Sequence, residues 1–106
     1  MHDIVNIHDV LTRLDRFDNN SYFLDFMNND SFDVGILRLN PSQKDIQGPH
    51  SQDELYFIIE GEGYITIHEK DHLIEKGMCI FIPANTKHYF YGNKEKLIVL
   101  YIFASK

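Results

Sequence analysis

The sequence predicts a single all-β domain, an antiparallel sandwich or barrel, with one short helix near its N-terminal end. Eight short segments of apolar or alternating character, each bounded by turn residues, follow one another after residue 21. The chain also contains eight Phe and six Tyr, residue types that fit the half-buried surface of a sheet. Its 106 residues are enough for one hydrophobic core. We therefore expect one domain over residues 1–106, with a helix and lead-in in about residues 1–20 and the barrel in 21–106.

The helix is predicted from apolar residues at helical spacing. Ile7, Val10, Leu11 and Leu14 recur on one face, and Asn6 precedes them as an N-cap. We expect this helix to pack over one opening of the barrel.

The strands are predicted from alternation and from turn signals. Turns are expected at Gly61–Gly63 and at Glu69–Asp71, and a long polar loop at Asn40–Pro49. Arg38 alternates in phase with Val34 and Ile36, so it either faces the interior as an anion site or pairs with a neighbouring acid. The predicted strands are Tyr22–Met27, Phe32–Leu39, Leu55–Ile59, Tyr64–His68, His72–Glu75, Met78–Ile82, His88–Tyr91 and Leu97–Phe103.

Composition excludes two classes of partner. Sixteen acidic and ten basic residues give a net charge of −6, and Lys and Arg form no cluster, so we expect neither nucleic-acid nor membrane-surface binding. No apolar run reaches the length of a bilayer span, and Met1–Asn6 lacks the features of a signal peptide. The single Cys79 cannot form an intramolecular disulfide. We expect a cytoplasmic protein.

Two segments carry potential metal ligands at defined distances from turn residues. In the first, His50 is followed after three residues by Glu54, and Glu54 after six residues by Gly61. In the second, Gly77 is followed after five residues by Pro83, and His88 lies five positions beyond that proline.

These two segments resemble the two motifs of the cupin superfamily, specifically its small single-domain members. The resemblance implies a cupin-type jelly roll, or double-stranded β-helix, and a homodimer. It also implies a metal site held by His50, Glu54 and His88. There are two departures: Gly48 stands where the family has its first histidine, and Asn85 stands where it has a glycine. Asparagine tolerates the left-handed backbone that such a glycine adopts, so the second departure is mild.

Two imidazoles and one carboxylate suit a divalent ion such as iron, nickel, zinc or manganese and leave open positions on it. Residues four apart in a straight strand are about 13 Å apart, so the chain must bend between His50 and Glu54 if both bind one ion. Gln52 lies in that bend and is a candidate fourth ligand. Read one by one, the three residues could instead be a loop histidine, an edge carboxylate and a strand-end histidine.

The expected function is binding or transformation of a small polar molecule at a mononuclear metal site. Gln52 and Tyr56 are the candidates for orienting the substrate, and a dioxygenase, an isomerase or a lyase would fit. The alternative is a non-catalytic cupin that binds or senses a small molecule and has lost full metal ligation, as the missing histidine at position 48 suggests.

Overall fold

A computed structural model describes residues 3–16 and 22–105 and shows two antiparallel sheets and one helix. The large sheet has the strand order β1-β2-β8-β3-β6, and the small sheet has the order β5-β4-β7. The predicted all-β fold with an N-terminal helix is confirmed. The elements are α1 (Ile7–Asp15), β1 (Phe23–Asn28), β2 (Phe32–Leu39), β3 (Glu54–Glu60), β4 (Glu62–Ile67), β5 (Lys70–Glu75), β6 (Cys79–Ile82), β7 (His88–Tyr91) and β8 (Leu97–Ala104).

The main core lies between the two sheets. Leu37, Ile58 and Val99 of the large sheet form one buried cluster with Ile65 and Phe90 of the small sheet. Alternate residues of β2, β3 and β8 point to this interior, as period-two alternation requires. The sheets are separate hydrogen-bonded units, so hydrogen bonds do not close the barrel all the way round.

Helix α1 begins as predicted, but it packs elsewhere. The Asn6 side chain accepts a hydrogen bond from the backbone N–H of His8 at 2.8 Å, which confirms the N-cap. Val10 and Leu14 pack against Ile36 on the outer face of the large sheet, and not over a barrel opening. The physical reason is that β2 and β8 are apolar on both faces, so the outer face also needs cover. In the ranges described, no helix is both long and apolar enough to cross a bilayer.

Arg38 lies on this same outer face of β2 and forms an ion pair with Asp15 of α1. Of the two predictions for Arg38, pairing with a neighbouring acid is confirmed, and an anion site inside the barrel is wrong. Arg38 lies two residues after Ile36 on β2, so both side chains point to the same face of the strand, and α1 covers that face.

The β4–β5 turn begins one residue earlier and ends two residues earlier than predicted. Its loop is His68–Glu69, with φ of 49° and 67°, and Ile67 pairs with Lys70 across it. Two successive left-handed residues form the tight turn that suits the twist of a hairpin. Lys70 and Asp71, predicted as turn residues, therefore belong to β5.

Candidate metal centre

The three predicted ligand residues come together between the sheets. Glu54 is the first residue of β3 in the large sheet, and His88 is the first residue of β7 in the small sheet. His50 precedes β3 in the loop. Their possible ligand atoms all lie within 4.8 Å of one another. Glu54 and His88 are buried and His50 is half-buried, so the site lies inside the barrel near its mouth.

The predicted bend between His50 and Glu54 is present at Ser51 and Gln52. A residue of the Gly77–His88 segment holds this bend: the backbone N–H of Asn85 donates to the His50 carbonyl at 2.6 Å. Asn85 has a φ of 62°, so the asparagine in the glycine position does adopt the left-handed backbone. The two motifs therefore fix each other's backbone at the site.

His88 is oriented by its own loop. Its Nδ1 lies 2.8 Å from the Thr86 carbonyl, which can only accept, so Nδ1 carries a proton. In the neutral ring the Nε2 then has a lone pair, and it lies 3.0 Å from the Tyr56 hydroxyl and 3.1 Å from Glu54 Oε1. A lone pair facing a carboxylate oxygen at this distance is repulsive unless a proton or a cation lies between them.

Burial and the nearby acids act on the titration of this cluster. Burial works to lower the pKa of His88, but the hydrogen bonds that the protonated ring makes to Glu54 and Thr86, together with the negative charges of Glu54 and Asp45, outweigh it and raise that pKa. Burial, followed by the charge of Glu54, holds the pKa of Tyr56 well above its usual value. The cluster therefore favours positive charge beside Glu54.

Glu54 is the residue whose environment calls for a cation. It is 2% exposed, and with a neutral His88 and the Tyr56 hydroxyl directed to His88 Nε2, neither of its carboxylate oxygens has a hydrogen-bond donor among the described residues. The 3.1 Å contact with His88 supplies none while Nε2 is unprotonated. A buried carboxylate without donors is costly, and a divalent ion shared with two imidazoles removes that cost. The residues present thus fit a metal ion.

His50 is held by residues that the sequence did not single out. Its Nε2 lies 3.1 Å from Gln47 Oε1, and its ring makes an edge contact with Phe103 at a centroid distance of 4.7 Å. An amide oxygen accepts, so Nε2 carries the proton and the lone pair is on Nδ1. Gln47 hydrogen-bonds a ligand candidate here, and a ligand role for Gln52 stays a prediction. No periodic signal marks a loop residue such as Gln47.

Aromatic side chains complete the inner wall. Tyr56 lies across from Tyr101 in the β3–β8 register, and the Tyr101 hydroxyl donates to Asp25 Oδ1 at 2.5 Å. A register shift between Asp25 and Met27 bulges β1 at this point. Tyr91, in contrast, stacks on exposed Tyr64 on the outer face of the small sheet, away from the site.

Comparison with known proteins agrees with this architecture. A family model described as a cupin domain matches residues 35–103. The chain therefore belongs to the cupin-domain family.

Similar proteins include an uncharacterised protein of similar length and two longer enzymes. An uncharacterised protein of Streptomyces coelicolor, SCO3923, is 32% identical over 90 residues, which cover 85% of this chain and 86% of that protein. The acireductone dioxygenase of Alcanivorax borkumensis is 37% identical over 59 residues, covering 51% of this chain and 33% of the enzyme. The dimethylsulfoniopropionate lyase DddW of Ruegeria pomeroyi is 32% identical over 72 residues, covering 68% and 47%. The chain thus spans less than half the length of these two enzymes.

Solved structures share the fold. The plu4264 protein of Photorhabdus luminescens superimposes with a TM-score of 0.72 at 23% identity, over 86% of each chain. A cupin superfamily protein of Desulfitobacterium hafniense gives a TM-score of 0.71 at 18% identity, over 79% of this chain and 76% of that one.

Proposed function

We propose that the protein binds a divalent metal ion through His50, Glu54 and His88 and uses the site to bind or transform a small polar molecule. The observation that carries the proposal is the buried Glu54 carboxylate, which lies beside two imidazoles and, while His88 is neutral, has no hydrogen-bond donor among the described residues. Two nitrogens and one oxygen suit iron, nickel, zinc or manganese.

A bound ion of this kind supplies Lewis acidity and open positions for an oxygen ligand. The chain's own residues supply orientation. The lone pair on His88 Nε2 can accept the Tyr56 hydroxyl or bind a cation, but not both. When a cation takes the lone pair, the Tyr56 hydroxyl can hydrogen-bond a molecule held in the site. Tyr56 is therefore our first candidate for orienting the substrate, with Gln52 second. The relatives named as a dioxygenase and a lyase support a small-molecule enzyme of one of these classes.

A non-catalytic cupin that binds or senses a small molecule is the second candidate function. It is favoured by Gly48, which takes the position of the family's first histidine; a side chain built there would meet nothing within 4 Å. A complex with fewer protein ligands is held more weakly and is better suited to reversible occupancy.

The proposal extends to a homodimer formed through the outer face of the large sheet. Leu55 and Phe57 of β3 and Phe81 of β6 are exposed there, and Leu55 lies opposite Phe81 in the strand register. A contiguous exposed apolar patch is typical of an interaction surface. Cytoplasmic location remains an expectation from the sequence.

Elemental analysis of protein purified without a metal-affinity tag tests the metal site. We expect about one ion per chain in the wild type and less than a tenth of that in His50→Ala, Glu54→Gln and His88→Ala. His72→Ala, an exposed histidine on β5, is the matched control and should retain the metal. A wild-type protein that stays metal-free after incubation with iron, nickel, zinc and manganese, and whose stability does not respond to chelation, contradicts the proposal.

A further inference from the structure

Residues 40–53 connect β2 to β3, and we call this segment the strap. It carries His50, whereas Glu54 and His88 are the first residues of strands. Sheet hydrogen bonds therefore fix the backbones of Glu54 and His88, but the position of His50 depends on the bonds that the strap itself makes. Asp45, in the middle of the strap, makes bonds to two other parts of the barrel.

The half-buried Asp45 carboxylate joins the strap to the small sheet and to the segment before β1. Its Oδ2 accepts the backbone N–H of Phe90 at 3.0 Å, and its Oδ1 accepts the Tyr22 hydroxyl at 3.1 Å. Phe90 lies on β7, the strand that begins at His88, and β7 is an edge strand of the small sheet. Asp45 thus ties the segment that carries one ligand candidate to the strand that carries another.

The connection continues from Asp45 to the His50 ring. The backbone N–H of Gln47 donates to Asp45 Oδ1 at 3.4 Å, and Gln47 Oε1 accepts from His50 Nε2 at 3.1 Å. The strap conformation that Asp45 holds therefore places the amide oxygen that selects the His50 tautomer. Partners of this kind, which orient a ligand through its second nitrogen, raise metal affinity about 10- to 100-fold.

We propose that Asp45 is the positioning residue of the metal centre: it anchors the strap to β7 and, through Gln47, holds the His50 ring in the tautomer that carries its proton on Nε2. The consequence for metal affinity rests on the proposed function. The consequence for the His50 ring does not, because it concerns the protein alone. A merely structural role, in which Asp45 only caps the free edge of β7, would stabilise the fold without acting through His50.

The experiment uses two measurements on the full chain. Nitrogen chemical shifts of His50 in metal-free protein report its tautomer, and titration with Co²⁺ reports metal affinity through the absorption of the bound ion. We expect the Nε2–H tautomer in the wild type and a mixture in Asp45→Ala, Asp45→Asn and Gln47→Leu. We expect Asp45→Ala to weaken Co²⁺ binding about 10- to 100-fold. In a His50→Ala background the same substitution should change the affinity less than about twofold, because the residue through which Asp45 acts is gone.

The matched control is Asp71→Asn. Asp71 accepts a hydrogen bond from Thr66 at 2.7 Å on the small sheet, so its loss changes stability but should leave the His50 tautomer and Co²⁺ affinity unchanged. Unchanged His50 shifts in Asp45→Ala overturn the inference, and so does a loss of Co²⁺ affinity that is equally large in the His50→Ala background. A wild-type protein that binds no Co²⁺ argues against the proposed function instead, and the His50 shifts then still decide the role of Asp45. Should Asp45→Ala not fold, Asp45→Asn gives the same decision.

Discussion

The ring of Tyr101 lies directly against the backbone of Gly35. The two residues pair across β2 and β8, and a Cβ built on Gly35 would lie 2.1 Å from both a ring carbon and the hydroxyl oxygen of Tyr101. The Tyr101 hydroxyl is held in turn by Asp25 at 2.5 Å. The glycine therefore creates the space that lets a large phenol fill the inner wall beside Tyr56.

Gly35→Ala should destabilise the fold by about 1 to 3 kcal/mol, because the added methyl group has no space while Tyr101 stays in place. Denaturant unfolding measures this. Gly48→Ala, where the added group meets nothing within 4 Å, is the control and should change stability by less than about 0.5 kcal/mol. In the Tyr101→Val background the cost of Gly35→Ala should largely disappear; an equal cost in both backgrounds would mean that the ring is not what fills the space.

Metal addition should stabilise the protein through the ligand cluster. An ion that binds only the folded state, at a free concentration about 100 times its dissociation constant, adds about 2.7 kcal/mol of stability. For a chain of this size that raises the melting temperature by roughly 10 °C or more, and a chelator reverses it. Glu54→Gln should lose most of the shift and His72→Ala none of it; equal shifts in all three proteins would place the ion elsewhere.

Alkaline pH should remove a contribution that Tyr22 makes to the free energy of unfolding. Burial, opposed by the hydrogen bond from Ile46 and aided by the charge of Asp45, raises the pKa of Tyr22 from 10.0 to about 12. Folding therefore favours the neutral phenol. Its contribution is fully present below pH 10 and is lost as the pH rises through about 12. Between about pH 9 and about pH 11, the stability advantage of the wild type over Tyr22→Phe should shrink by about 1 kcal/mol. Denaturant unfolding at several pH values measures it, and an advantage that stays constant with pH contradicts it.

The β4–β5 turn should be open to stabilisation. His68 and Glu69 both adopt positive φ, which costs a non-glycine residue about 1 kcal/mol or more. Asn-Gly is the pair best suited to such a turn, so His68→Asn/Glu69→Gly should raise the free energy of unfolding by about 1 kcal/mol. Lys70→Gly, one position further and within β5, should instead lower it by about 0.5 to 1 kcal/mol. Destabilisation by both changes would show that the turn is not strained.

The exposed apolar face of the large sheet should mediate self-association. Phe81 is 60% exposed on the edge strand β6, so a charge there opposes burial in an interface. Light scattering during size exclusion should give the mass of a dimer for the wild type and of a monomer for Phe81→Asp. Leu73→Asp, at a residue 62% exposed on the small sheet, is the matched control and should leave the dimer intact. A monomeric wild type at about 100 μM would contradict the dimer proposal, since stable interfaces hold well below that concentration.

Much of the fold follows from local pattern. Alternation and turn residues predicted all eight strands, with boundaries that differ mainly at the turns, and Asn6 marked the start of α1. The starts of β4 and β5 each lie two residues earlier than predicted. At His68–Glu69 the reason is that a hairpin turn made from residues with no turn preference is set by the pairing of its strands.

The resemblance of two spaced segments to the cupin motifs predicted that His50, Glu54 and His88 converge, and the structure brings their possible ligand atoms within 4.8 Å of one another. What only the tertiary structure decided is which side of each strand faces the site and what surrounds it. Period-two alternation separates the two faces of a strand but does not identify the inner one. Because both faces of the large sheet are apolar, alternation alone could not place Arg38, which lies on the outer face under α1. The strap has no period at all, so contacts between distant segments, and not sequence position, place Gln47 beside His50.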